Sequence, residues 1–499
     1  MSATRSSVVM AEESRVERES ASLHKELGLR DLVLQQIVYV VGTVWVGAAA
    51  KLGASQVVFW LAAILLFYLP QAAVVIHLSR RMPLEGGLYQ WAKLGFGDLT
   101  GFMTAWNLWM YAVVLIGAIG LLVGTNLSYV VGPRGAWMAS SKLFVVGLDV
   151  LLMAMLALLA ARGLGVSKWL HNAGSIMLML AFAALILLPF FRHGAGGAAA
   201  TAYHPFVLAM PALSLLSLNI FGKMSMGALS GFEYVAVLAG ETKDAARTIA
   251  RATLIAVPII AAMFILGTSA VLAFVKPADI NLIGPIPQVL RIGFGGTGLG
   301  VAVAAIGILL LTGRTIANSS IVFTGNTRMP VVTGWDDLLP AWFTRLHPRY
   351  RTPVNSIVFV GVVSLAFGIA GVLGVGAQEG FQLLDNAAGI LYGLTYLVMF
   401  AIPLLGKNDG AAAPSLWLRA ASLSGFLVTL LYVVLSIFPI IDVSSWASFA
   451  LKIGGVVVVL NAMGFALFVT ARRRRALRLA GENQRVGALD RSDQGAPTL

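Results

Sequence analysis

Uncharged, apolar runs of about twenty residues recur along the whole chain, and each is long enough to cross a bilayer core of roughly 30 Å as a helix. Without water at that depth, every backbone N–H and C=O has to be paired inside the segment, so such runs admit helices and little else. Twelve can be placed: 31–50, 55–78, 98–130, 139–161, 167–191, 211–239, 248–275, 295–325, 353–374, 382–405, 415–439 and 446–471. A mean hydropathy of +0.86, with 58% hydrophobic and 11% charged residues over 499 positions, excludes a soluble protein of this length. The expected fold is an all-α integral membrane protein of twelve transmembrane helices. One membrane domain would occupy 31–471, between polar tails at 1–30 and 472–499.

Lysine and arginine orient the bundle, because segments rich in them stay on the cytoplasmic side during insertion. With the N-terminus inside, only Lys51, Arg134, Lys142, Arg192, Lys276 and Arg291 of the 35 basic residues fall outside, and Lys223, Arg314 and Lys452 fall within spans. The others lie in the tails and inner loops, so a multi-pass protein of the cytoplasmic membrane with both termini cytoplasmic is expected. The net charge of +13 follows from that bias and faces anionic lipid rather than nucleic acid. The run Arg472-Arg473-Arg474-Arg475 reads as a stop-transfer and lipid anchor. Residues 1–30 lack the apolar core of a signal peptide. With no cysteine, disulfides and thiol chemistry are excluded. None of the six histidines lies in the middle of a span, and Asp149 and Asp385 lack the surroundings of an aspartyl protease. Neither an enzyme, a metal site nor a cofactor is expected.

Two spans carry glycine interruptions: Gly42-Thr43-Val44-Trp45-Val46-Gly47 in the first and the stretch from Gly222 through Gly227 to Gly231 in the sixth. They occupy corresponding places in two five-helix halves, about 31–191 and 211–405, followed by two extra spans at about 415–471. An odd number of helices per half inverts the second half, which makes a 5+5 inverted repeat with discontinuous helices one and six. A broken span frees backbone groups at mid-bilayer, where only protein, water or a ligand can satisfy them. The helix restarting after Gly42 would aim free N–H groups and a partial positive charge at a carboxylate, making Gly42, Thr43 and Val44 substrate-binding candidates. The plainer alternative is that these glycines let helices pack closely.

Three loop motifs accompany the breaks. The first is Met82-Pro83-Leu84-Glu85-Gly86-Gly87-Leu88-Tyr89-Gln90-Trp91; the second is Ser230-Gly231-Phe232-Glu233 followed by Gly240-Glu241-Thr242-Lys243. The third is Arg328, Leu338-Leu339-Pro340 and His347-Pro348-Arg349-Tyr350-Arg351-Thr352-Pro353. In order and spacing these resemble the amino acid-polyamine-organocation (APC) transporter superfamily over roughly residues 28–470, with a first span closest to the glutamate/GABA antiporter-like branch. The resemblance implies a secondary active transporter, a permease or exchanger for amino acids or related amines, with the amine held by carbonyls near Val40, Gly227 and Ser230. A transporter-like sensor or channel shares the fold and stays as the alternative. Two positions depart from the family pattern. Its Gly-Ser-Gly in span one is Gly42-Thr43-Val44 here, and the aromatic gate of its span six falls at Gly227. Either the pocket takes a larger side chain, or an aromatic from elsewhere closes it, with Trp45, Trp106, Trp109, Tyr392 and Tyr396 as candidates against ordinary packing or interfacial anchoring.

Ionisable groups inside spans are costly and mark function unless they form buried structural pairs. Lys223, beside the second break, would contact the substrate or pair with an acid. Arg314 shares a helix face with Asn318, in a span that borders the central cavity by resemblance; Asp385 shares a stripe with Gly389, Tyr392 and Tyr396. An Arg314–Asp385 pair that opens with the outer vestibule is expected. Glu233 would accept a proton or serve as a structural hydrogen-bond acceptor. Sodium sites in this fold use span-one carbonyls and span-eight hydroxyls, which Ser319 and Ser320 would supply, while span five has no lysine between Trp169 and Phe191 for a lysine-proton mechanism. Proton coupling, sodium coupling and uncoupled exchange all stay open at this stage. Arg80, Arg81, Glu85, Glu241, Arg247 and Arg328 would cluster as an inner gate or as solvated helix ends. The partners expected are a small-molecule substrate and the lipid bilayer, with the chain a monomer or homodimer.

Overall fold

The computed structural model describes residues 28–81, 87–162, 164–192, 203–233, 245–295, 298–332, 338–348, 350, 352–406 and 413–493. Among these, ten helical stretches are long and apolar enough to cross a membrane, and no strand occurs. Spans one and six are missing from the ten, and they are the two that the glycines interrupt. Span one is α1 (Leu29–Val40) and the short α2 (Trp45–Ala50). Span six begins as α10 (Leu215–Gly222), defined below with its neighbours.

Span two is α3 (Gln56–Ala63), a π-helical turn Ile64–Tyr68 and α4 (Leu69–Arg81); the Ser424 hydroxyl donates to the Leu66 carbonyl (2.7 Å) in that π turn. A short α5 (Leu88–Phe96) leads to span three, which is bent: α6 (Asp98–Ile116) stops and α7 (Ile119–Val131) restarts after Gly117 and Ala118. The spans then continue as α8 (Lys142–Arg162), α9 (Leu164–Arg192) and α10, followed by α11 (Ala245–Phe274). The second half adds α12 (Pro285–Phe294), α13 (Leu299–Val332) and α14 (Val354–Val372). It closes with α15 (Ala377–Leu405), α16 (Leu416–Leu435) and α17 (Trp446–Asp493). The ten-residue α12, between spans seven and eight, is too short to span and was not expected from the apolar runs.

The bend in span three explains Asp149, for which the sequence suggests no role. A helix start leaves N–H groups without partners, and the buried Asp149 carboxylate on α8 accepts the Gly120 N–H at 2.6 Å. A Cβ on Gly120 would lie 2.5 Å from that carboxylate, so glycine admits the contact. Asp149→Ala is expected to weaken the fold by about 1–2 kcal/mol, the usual value of a lost helix cap; a melting temperature equal to the unmodified protein's would refute the capping role. Lys452, the other residue without a role, is exposed on α17.

The buried apolar side chains fall into two cores. One joins spans one, two, six and seven, with residues of α9 and α16; the other joins α6, α7, α8, α14 and α17. Only α13 and α15, besides loop and short-helix residues, contribute substantially to both. The division sorts the helices into two groups, joined through α13 and α15.

Candidate functional site

In span one the helix is open over 41–44. The N–H groups of Val44, Trp45 and Val46 have no backbone acceptor among the described residues, because the carbonyls four positions back have left the helical path. At the other side of the opening, the Val41 carbonyl accepts from Arg314 Nη2 at 3.2 Å. In span six, Lys223–Ala228 form a π-helical turn, and among the described residues the chain is unwound at Ser230–Phe232, where Gly231 has φ +105°. The opening therefore begins later than Gly222: Gly227 sits in a turn of helix. The Gly231 N–H donates to the Tyr396 hydroxyl (2.9 Å).

One side chain joins the opening of span one to the π-helical turn of span six. A Cβ placed on Gly42 would lie 2.5 Å from Trp45 Cδ1, and one on Gly227 would lie 2.5 Å from Trp45 Cη2. The indole thus spans the gap lengthwise, its pyrrole edge at span one and its benzene edge at span six. Beside it is a cavity of about 20 Å³ lined by Val44, Trp45, Lys223, Gln382 and Asp385, which holds about one water and no larger molecule. Ile440 lines this cavity and also a far larger vestibule of about 1090 Å³ whose rim carries Lys51, Lys142, Glu379 and Asp442. Half-burial lowers the Lys51 ammonium from its ordinary range, while Asp442 and Asp279 act in the opposite direction.

The buried charges pair differently from the Arg314–Asp385 expectation. Asp385 on α15 acts electrostatically on Lys223, and the Lys223 ammonium donates to Asn386 Oδ1. Arg314 faces the Val41 carbonyl, and its Nε has no hydrogen-bond partner. Its rotation on α13 turns it toward span one rather than span ten. Glu233, buried, accepts from the Tyr392 and Tyr396 hydroxyls, one on each carboxylate oxygen. Tyr392 is therefore a partner of Glu233, stacked on Tyr111 with ring centroids 4.3 Å apart, and not a free wall of the cavity. One helix, α15, so grips both sides of the opening in span six, at Lys223 and at Glu233.

Of the other sequence candidates, Val40 ends α1 and Ser230 is buried at the second opening, while Thr43 lies in the first. No hydrogen bond joins Asn318, Ser319 or Ser320 to span one among the described residues; Arg314 is the span-eight group that meets a carbonyl there. Trp106 and Trp109 are structural, donating to the Leu460 and Asn326 carbonyls (2.8 and 3.0 Å) within the second core. Glu85 and Glu241 of the inner cluster lie outside the described residues. Gln382 and Asn386 were missed, because neutral amides give no burial signal in sequence. Asn386 is adjacent to Asp385, one position off the stripe that drew attention.

The amino acid permease profile matches residues 32–460, nearly the whole membrane region. The chain belongs to the amino acid permease family. The permease is 26% identical over 378 residues to the methylthioribose transporter of Bacillus subtilis (strain 168), covering 72% of this chain and 77% of that one. It is 24% identical over 401 residues to the branched-chain amino acid permease BcaP of the same organism, covering 74% and 81%. Among solved structures it resembles MhsT in complex with L-phenylalanine, with TM-score 0.56 and 16% identity, covering 81% of this chain and 97% of that chain. The last likeness concerns the fold alone. The permease is a multi-pass membrane transporter and not an enzyme.

Proposed function

We propose that the permease moves amino acids or related amines across the cytoplasmic membrane by alternating access, with both termini inside. The observation that carries this is a small cavity at the opening of helix one, beside a far larger vestibule, with Trp45, Asp385 and Lys223 of the interrupted helix six at its wall. Unpaired N–H groups at Val44–Val46 suit a carboxylate, and the acceptors around Ser230 and Asp385 suit an ammonium group. The two separate cores support rocking of spans one, two, six and seven against the remainder, and the matching breaks support the 5+5 inverted repeat (about 31–191 and 211–405) with 415–471 appended. A cavity of about 20 Å³ is too small for an amino acid, which fits a closed stage of such a cycle.

The test is a thermal-shift screen of amino acids, polyamines and methylthioribose on the purified permease, followed by exchange of the hits in liposomes. A ligand at 100 times its Kd adds about 2.7 kcal/mol to stability, a readable shift. Hits without stoichiometric uptake or exchange would point to a transporter-shaped sensor or channel instead.

For coupling, the Arg314 guanidinium at the Val41 carbonyl supplies a fixed positive charge at the opening of span one. In our reading no sodium ion is needed there. Uptake is expected to be unchanged when choline replaces sodium, and Arg314→Gln is expected to lower uptake by about tenfold or more, the effect of breaking a charged hydrogen bond worth about 1.5–3 kcal/mol. Sodium-dependent uptake by the unmodified permease would sink this. Glu233 is the candidate proton carrier, since moving span six against α15 separates it from both tyrosines.

A further inference from the structure

The indole of Trp45 fills the space between the opening of span one and the π-helical turn of span six, beside the cavity that Lys223 and Asp385 line. Its two edges lie against Gly42 and Gly227, where the chain has no side chain to displace it. What remains beside the ring admits about one water. Trp45 is only partly buried, and it lies on a two-turn helix whose own start is unpaired, so the side chain is held by packing and not by a backbone ladder on both sides. Ala48, one turn further along α2, lines the same cavity and is 6% exposed.

We infer that Trp45 is a plug, a specificity-determining residue that occupies the substrate's place in the closed permease and has to swing toward the vestibule before substrate can enter. Gly42 and Gly227 lack side chains because the indole needs that room. The plug competes with substrate, so the apparent affinity of the permease is its intrinsic affinity reduced by the fraction of time the ring is out. The ligand that replaces it lies between the same two glycines and is limited to roughly the width that an indole leaves. This inference rests on the proposed central site, and the experiment separates the two.

The chain contains no cysteine, so Ala48→Cys creates a single reporter without background. Its reaction with a membrane-impermeant maleimide is expected to be slow in otherwise unmodified permease and about tenfold faster with Trp45→Ala, because the rate follows the fraction of time the cavity is open. Trp45→Phe, a smaller ring and a milder change to folding, is expected to fall between. Adding Gly227→Phe to Trp45→Ala refills the same space from span six and is expected to restore slow labelling. Equal labelling with and without Trp45, or no restoration by Gly227→Phe in protein that melts cooperatively, overturns the plug. The second arm uses whichever amino acid or amine stabilises the permease: Trp45→Ala is expected to bind it about tenfold more tightly while turnover falls, since the opened site no longer occludes. Weaker binding in Trp45→Ala would make the indole a substrate contact and overturn the inference. If no amino acid or amine binds any variant, the central-site reading fails, while the labelling arm still decides the plug.

Discussion

Lys223→Met is expected to abolish transport and to lower stability by about 1.5–3 kcal/mol, the worth of a charged hydrogen bond. Lys223 is 2% exposed, Asn386 Oδ1 accepts a hydrogen bond from its ammonium, and Asp385 is the acid that acts on it. Methionine matches the length of the stem, so packing is nearly kept and the loss is electrostatic. If the ammonium also holds the substrate, binding weakens by about a hundredfold, corresponding to about 2–3 kcal/mol. The double variant Lys223→Met with Asp385→Asn removes both charges and is expected to recover most of the stability but none of the transport. Thermal melting and liposome exchange on the three proteins read this directly. A single variant that melts and transports like the parent would show that the pair is neither structural nor functional.

Gly231→Val is expected to remove ligand binding while leaving a folded permease. At φ +105° the backbone is where a side chain is rarely tolerated, and a β-branched residue tolerates it least. The strain, of about 1–3 kcal/mol, is relieved if the chain moves back toward helical dihedrals, which closes the opening at Ser230–Phe232 and withdraws the Gly231 N–H from the Tyr396 hydroxyl. Ligand-induced stabilisation would then vanish. Gly42→Val should also fail to bind, for a different reason: its side chain would take up the space that the Trp45 ring now fills, where the ligand has to lie. Unchanged affinity in both variants would place the substrate elsewhere.

The spans were readable because a bilayer accepts few solutions, and about twenty apolar residues in a row suffice to declare one. The breaks were readable as well, since glycines inside two such runs, at matching places, stood out against Leu- and Val-rich surroundings. How each break is built was not. Span six keeps π-helical hydrogen bonding through Ala228 and opens only at Ser230, because the turn is held by neighbours on α3 and α16 that sequence cannot place. Asp149 looked like an unexplained charge until the bend at Gly117 and Ala118 supplied an N–H for it to accept.

What the chain determined alone is local: helices long enough to span, the sites where they cannot continue, and which charges are too few to be solvent-facing. What only the tertiary structure decided is pairing. Arg314, Lys223, Asp385 and Glu233 lie on helices whose rotation about their axes comes from side-chain packing across hundreds of residues of separation, and a turn of 100° per residue separates a carbonyl of span one from a carboxylate of span ten. The same packing laid one indole between the opening of span one and the π-helical turn of span six, a contact between residues 45 and 227 that neither neighbourhood announces.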